Sequence, residues 1–181
     1  SKALHPTATC YSSNLFNGFL RNSKFKTDFI NRYADLINTT FLPSNMLPIM
    51  HQFQDSMAYD MPEHFAKWGS NMTAWQSNIN VVRNFINLRA DTARSQIRDE
   101  FGLQGKVLLT LNVSPANAGR IQISTVTPET YPWSGVYFNG NPVTITAIPN
   151  PGFTFNHWSS PIVIGGNDPN QVATYNFSDT D

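Results

Sequence analysis

At 181 residues the chain has room for one large domain or two small ones, and either buries a usable core. Its net charge is zero, with 12 Lys and Arg against 12 Asp and Glu and only 13% charged residues, which excludes the basic surface that nucleic acid or an anionic membrane requires. Cys10 is the only cysteine, so an internal disulfide is impossible and the cysteine count leaves the compartment open.

Residues 1–105 read as helical. In "NSKFKTDFINRYADLINTTF", Phe25, Phe29, Tyr33, Leu36 and Ile37 fall at three- and four-residue spacing, which predicts a helix with one apolar stripe. Asn22 or Ser23 is the expected N-cap, and Pro43 lies beyond the far end. A second helix is expected to start near Ser44 with Met46, Leu47, Met50, Phe53, Met57 and Met61 as core filling. Pro62 kinks or restarts it, and Gly69 stops it. The third run begins after Asn71 with Thr73 as cap, presents Trp75, Ile79, Val82, Phe85, Ile86, Ile97 and Phe101, and halts at Gly102. A break at Arg89, Ala90 and Asp91 is compatible with the pattern.

From Lys106 the period changes to two. "VLLTLNV" sets Val107, Leu109, Leu111 and Val113 on one face, and "PVTITAI" does the same for Val143, Ile145 and Ala147. "RIQISTV", "GVYF", "GFTFNHW" and "VATYNF" complete a set of short strands punctuated by Gly, Pro and Asn. The expected fold is α+β: a helical part over residues 1–105, then a small all-β module over residues 106–181, either a β-sandwich or β-grasp-like. Charge divides weakly between the parts, ten Lys and Arg against eight Asp and Glu in the first and two against four in the second.

Chemistry-bearing motifs are sparse. His5, His51, His64 and His157 lie in four separate segments, and Glu63-His64 lacks the second histidine four residues away that a zinc-holding helix uses. Cys10 has no local signature of a nucleophile, and "GLQGKV" lacks phosphate-loop spacing. "GGNDPN" around Asp168 reads as a polar hairpin loop before it reads as a calcium site. His64, Trp68 and Arg89 form either a ligand site or, on the plainer reading, a packed helix junction. In the β part, Tyr131 and Trp133 flank Pro132 in a loop and are the aromatics best placed to contact a glycan or a cell-surface protein.

The order and spacing of rarer residues carry a resemblance. "FINRYADLINTTF", "MPEHFAKW" and "AWQSNINVVRNFINLRADTARSQIRDEFGL" resemble the C-terminal helical portion of the CotH kinase-like family, the spore-coat-protein-H type. Phe29, Arg32, Tyr33, Asp35, Leu36, Asn38, Thr39 and Phe41 fill its first motif. Met61, His64, Lys67 and Trp68 fill the second, and Trp75, Val82, Phe85, Arg89, Phe101, Gly102 and Leu103 the rest. "GVYFNGNPVTITAIPNPGFTFNHW" resembles internalin-type B-repeat modules.

The resemblance implies a parent protein of a bacterium that is extracellular or at the cell surface. It also implies that the nucleotide-binding Lys and the catalytic and metal-binding Asp of kinase-like members lie upstream. No strand, Gly-rich loop and strand precede Leu15 here, so no catalytic residue and no cofactor are expected in this chain, whereas ATP and a divalent metal belong to the parent. The expected partner is the upstream kinase-like lobe, which the helices would buttress. The opening "SKALHPTATCYSS" lacks an initiator Met and reads as the interior of a longer protein, with no signal peptide and no membrane-spanning run.

Overall fold

The computed structural model describes residues 11–160 and 166–176; His5 and Cys10 lie outside the described residues. Among those described, the helices come first: α1 (Tyr11–Phe19), α2 (Ser23–Asn38), α3 (Pro43–Ala58), α4 (Met61–Trp68) and α5 (Met72–Phe101). The strands follow: β1 (Gly105–Leu111), β2 (Gly119–Ile123), β3 (Trp133–Asn139), β4 (Val143–Pro149), β5 (Trp158–Ser160), β6 (Gly166–Asp168) and β7 (Val172–Tyr175). The fold is α+β, as the change of period requires.

Local chemistry explains the helix ends. The Asn22 side-chain oxygen accepts the Phe25 N–H at 3.0 Å, so one orphan donor of the first turn of α2 is satisfied. Gly69 follows α4 at φ 75°, a conformation glycine adopts without strain. Helix α5 departs from expectation twice. Asn71, not Thr73, caps it by accepting the Ala74 N–H at 2.9 Å. It also runs unbroken for 30 residues, because Arg89, Ala90 and Asp91 include neither Gly nor Pro and stop nothing. Helix α1, which periodicity did not reveal, is held to α2 by ring contacts, with Phe16 5.0 Å from Phe29 and Phe19 5.3 Å from Phe25.

Every strand pairing among the described residues is antiparallel: β1 with β3, β2 with β4 and β4 with β7, and β5 with β6. Val107 and Leu109 of β1 and Val143, Ile145 and Ala147 of β4 are buried as alternation predicts. "GFTFNHW" is corrected: residues 153–157 form no strand, and β5 begins only at Trp158. Asn150 explains this, since its N–H and its side-chain amide bond the Ala118 and Asn117 carbonyls, both at 2.9 Å, while Phe153 N–H turns back to the Asn150 carbonyl at 3.0 Å. Asn150 thus adds one more rung to the β2–β4 pair, and the chain turns directly after it.

One hydrophobic core crosses residue 105. Ile30 and Ala34 of α2 and Ile97 of α5 pack in the same cluster as Val107, Leu109, Ile121, Ile123, Tyr137, Phe138, Val143, Ile145 and Ala173. Adjacent residues Tyr137 and Phe138 are both fully buried. Because neighbours on a strand point to opposite faces, β3 is covered on both sides.

The rest of the helical layer is thinly covered. Helices α3 and α4 bury no residue. Of the residues expected to fill a core there, Met46, Leu47, Met50 and Met61 are half-buried, and Phe53 and Met57 are exposed. Helix α5 buries Ile86, Ala90, Ala93 and Ile97, which fall on one stripe. A second stripe at helical spacing, Val81, Phe85 and Leu88, is exposed.

Candidate functional site

The densest polar arrangement lies where α2 meets the β-module. Asn31, Asp35 and Asn38 stand on neighbouring turns of α2, so all three face β3 and its flanking loops. All three are buried, with Asp35 fully so. A buried carboxylate is tolerated only when its oxygens are satisfied, and here they are. Its Oδ2 accepts the Ser124 hydroxyl at 2.8 Å, the Thr125 N–H at 3.0 Å and the Thr125 hydroxyl at 2.7 Å. Its Oδ1 accepts the Tyr137 hydroxyl at 2.7 Å. Burial, with the Asp35 charge and hydrogen bond behind it, pushes the Tyr137 phenol far above the ordinary tyrosine range.

Asn38 acts as a substitute strand. Its amide donates to the Val136 carbonyl at 2.9 Å and its oxygen accepts the Val136 N–H at 3.0 Å. Those backbone groups lie on the edge of β3 away from β1, and an uncovered edge would be a template for further pairing. Arg94 of α5, whose side chain is 11% exposed, also donates to the Asn38 oxygen at 3.0 Å, fixing which way the amide points. Two turns earlier, Asn31 donates to the Pro142 carbonyl at 2.7 Å and accepts from the Asn141 amide at 2.8 Å. Arg32 reaches the Thr125 hydroxyl at 2.6 Å.

Chemically this seam is a joint. Both oxygens of Asp35 bond within the protein and the residue is fully buried, so the carboxylate is not presented at a surface. Among the described residues no group of three or more His, Cys, Asp or Glu is placed to hold a metal ion.

The residues singled out in the sequence fare differently. The Tyr131 hydroxyl accepts the Ile121 N–H at 2.6 Å and donates to the Ile121 carbonyl at 3.2 Å. It closes the free edge of β2 much as Asn38 closes β3. Trp133 lies over Gly135, whose missing Cβ leaves room for the indole. Both aromatics are half-buried against the core. His64, Trp68 and Arg89 are not brought together. His64 touches Phe65 edge-on at 5.8 Å, Lys67 lies 5.2 Å over the Trp68 ring, and Arg89 lies 5.7 Å over Phe85. Trp68 is 69% exposed, so neither the ligand site nor the packed junction describes this group. Asp168 accepts the Asn170 N–H at 2.9 Å, the Asn170 amide at 2.8 Å and the Tyr175 hydroxyl at 2.7 Å, which is the polar hairpin reading.

Known families account for both halves of the sequence. The family model described as CotH kinase protein matches residues 2–93, just over half of the chain. The chain belongs to the CotH kinase protein family. The model for the divergent InlB B-repeat domain matches residues 109–178. No curated protein and no solved structure matches the chain.

Within the CotH segment the motif positions acquire physical roles. Asp35 and Asn38, polar residues of the first motif, bond Ser124, Thr125, Val136 and Tyr137 of the B-repeat module. Thr39 returns its hydroxyl to the Asp35 carbonyl at 2.6 Å and closes the last turn of α2. Sequence reasoning found these positions only as matches to a pattern. The missed signal was their spacing, since Asn31, Asp35 and Asn38 form a polar stripe on a helix that already has an apolar one.

Proposed function

We propose that this chain is a non-catalytic C-terminal portion of the CotH kinase domain of an exported bacterial protein, with the B-repeat module held on it as a spacer or adhesion unit. One observation carries the reading. Helices α3 and α4 bury nothing, and with α5 they leave Ile49, Phe53, Met57, Trp68, Val81, Phe85 and Leu88 exposed. An apolar surface of that kind marks a protein-protein contact. The occupant we assign is the preceding segment of the same CotH domain, since the motifs of this chain resemble the C-terminal helical portion of that family. ATP and a divalent metal, where the parent uses them, then belong to that segment. Cell-surface placement is supported by the B-repeat match alone; no helix among the described residues is long and apolar enough to cross a membrane.

Amide hydrogen exchange on this chain and on a longer polypeptide carrying the upstream segment tests the contact. Backbone protection in α3 to α5 is expected to rise in the longer protein, and unchanged exchange there would overturn the assignment. Calorimetric titration of this chain with ATP and Mg²⁺ tests the non-catalytic part. No saturable heat is expected, and tight binding would place a nucleotide site within these residues.

A further inference from the structure

The B-repeat module carries a cleft that belongs neither to the α2 seam nor to the exposed helical face. It has a volume of about 390 Å³ and lies between the start of β2, the end of β4 and residues 154–159, within the size range of small-ligand sites. Its aromatic wall is Phe155 and Trp158, ring centroids 5.1 Å apart and tilted by 53°. The wall is set in advance, because the indole N–H of Trp158 donates to the Asn170 carbonyl at 2.8 Å. Asn150 pins the approach to it through the Ala118 and Asn117 carbonyls.

Charge in the cleft is of one sign. Arg120 lines it, is exposed, and makes no ion pair among the described residues. It is one of two Lys and Arg residues after Gly105, the other being Lys106. His157, Asn156 and Ser159 add polar groups, and no carboxylate is among the lining residues. Asp168 lies opposite Trp158 in the β5–β6 register, but its oxygens already accept from Asn170 and Tyr175.

We propose that this cleft binds a sugar ring bearing a carboxylate, the chemistry of a uronic-acid-containing glycan. An apolar C–H ring face stacks on an aromatic wall, hydroxyls suit the amide and hydroxyl side chains, and a guanidinium recognises a carboxylate in two-pronged fashion. A neutral sugar leaves Arg120 unanswered. Neither Tyr131 nor Trp133 lines it, and it does not depend on what covers the helical face.

The test uses the whole chain at about 150 mM salt, where long-range charge effects are screened. Tetragalacturonate and neutral cellotetraose are titrated by calorimetry and by amide chemical-shift mapping. Saturable binding of the acidic tetramer is expected, with shifts centred on Arg120, Asn156 and Trp158 and at least ten-fold weaker binding of the neutral one. Arg120→Gln is expected to weaken the acidic tetramer about ten-fold, the loss typical of a charge-assisted contact, while Lys106→Gln leaves it unchanged. Absence of binding, equal affinity for both tetramers, or equal losses in the two variants would each overturn the proposal.

Discussion

Replacing Asp35 tests how the two halves are joined. Asp35→Ala removes four hydrogen bonds to a fully buried carboxylate and leaves the buried Tyr137 hydroxyl and the Thr125 N–H without an acceptor. Hydrogen bonds to charged groups contribute about 1.5–3 kcal/mol each, but the four share one carboxylate and do not add. Removing the carboxylate also relieves its desolvation. A net loss of about 3–5 kcal/mol is expected, a large share of the roughly 5–15 kcal/mol that holds a domain folded. Asp35→Asn separates shape from charge. Its NH₂ group fits at the Oδ1 position, where the Tyr137 hydroxyl can turn and accept from it, but the charge that strengthens the three bonds at Oδ2 is lost, so about 1–2 kcal/mol is expected. Urea unfolding followed by far-ultraviolet circular dichroism reads both values from the midpoint. A double-mutant cycle with Tyr137→Phe should give a coupling of about 1 kcal/mol or more, as directly bonded pairs do. If Asp35→Asn stays within about 0.5 kcal/mol of the parent, or the cycle is additive, the seam is not what holds the β-module.

The Tyr137 phenol is held neutral by burial and by Asp35, so its contribution is complete below about pH 10, the ordinary tyrosine value, and is lost as pH rises beyond it towards the folded-state value. A spectrophotometric titration at alkaline pH should show two tyrosines lagging the rest, Tyr137 and Tyr175, the latter raised by burial and by Asp168, with Tyr137 ionising only on unfolding; a smooth titration of all tyrosines near pH 10 would contradict this. Asp168 is displaced the other way: the Asn170 N–H and the Tyr175 hydroxyl hold its carboxyl below the usual range, so its contribution is present above about pH 4 and fades as pH falls through the lower folded value. Amide shifts of residues 166–175 should therefore move together below pH 4, and Asp168→Asn should abolish that movement. Finally, a Cβ at Gly135 would collide with the Trp133 ring and approach the Asn38 amide to 3.1 Å, so Gly135→Ala should cost about 1–3 kcal/mol, visible in the Trp fluorescence and the urea midpoint; an unchanged midpoint would mean that the indole moves aside freely.

Much of the architecture could be read from period alone, because capping and alternation are local. Asn22, Gly69 and Gly102 end helices where their chemistry dictates, and Val107, Leu109, Val143 and Ile145 face inward as pleating requires. The failures share a cause in long-range contact. Phe153 and Phe155 alternate as strand residues do, yet the chain turns at Asn150, which is tied to Asn117 and Ala118 more than thirty residues earlier, and they form no strand. The methionines of α3 keep helical spacing, but spacing cannot say whether a partner is present to bury them. Asn31, Asp35 and Asn38 look like a solvated face until their partners, 89 to 111 residues away, come into view. The bonds of the Tyr131 hydroxyl to the Ile121 backbone likewise reach outside the local pattern and leave no trace in it. The cleft at Arg120 was not legible, because it forms only where a strand pair meets an irregular loop.

The Asp35 joint also bears on how interchangeable these halves are. Modules that shuffle freely between proteins have thin, undemanding contacts, since a new neighbour need only avoid clashing. Here one partner brings a dehydrated negative charge, and the other must bring Ser124, Thr125 and Tyr137 to answer it. A foreign β-module grafted after α5 would meet that buried carboxylate without its donors and would pack poorly against α2. The two halves are therefore expected to travel through evolution as a matched pair, and a replacement module would have to supply those donors first.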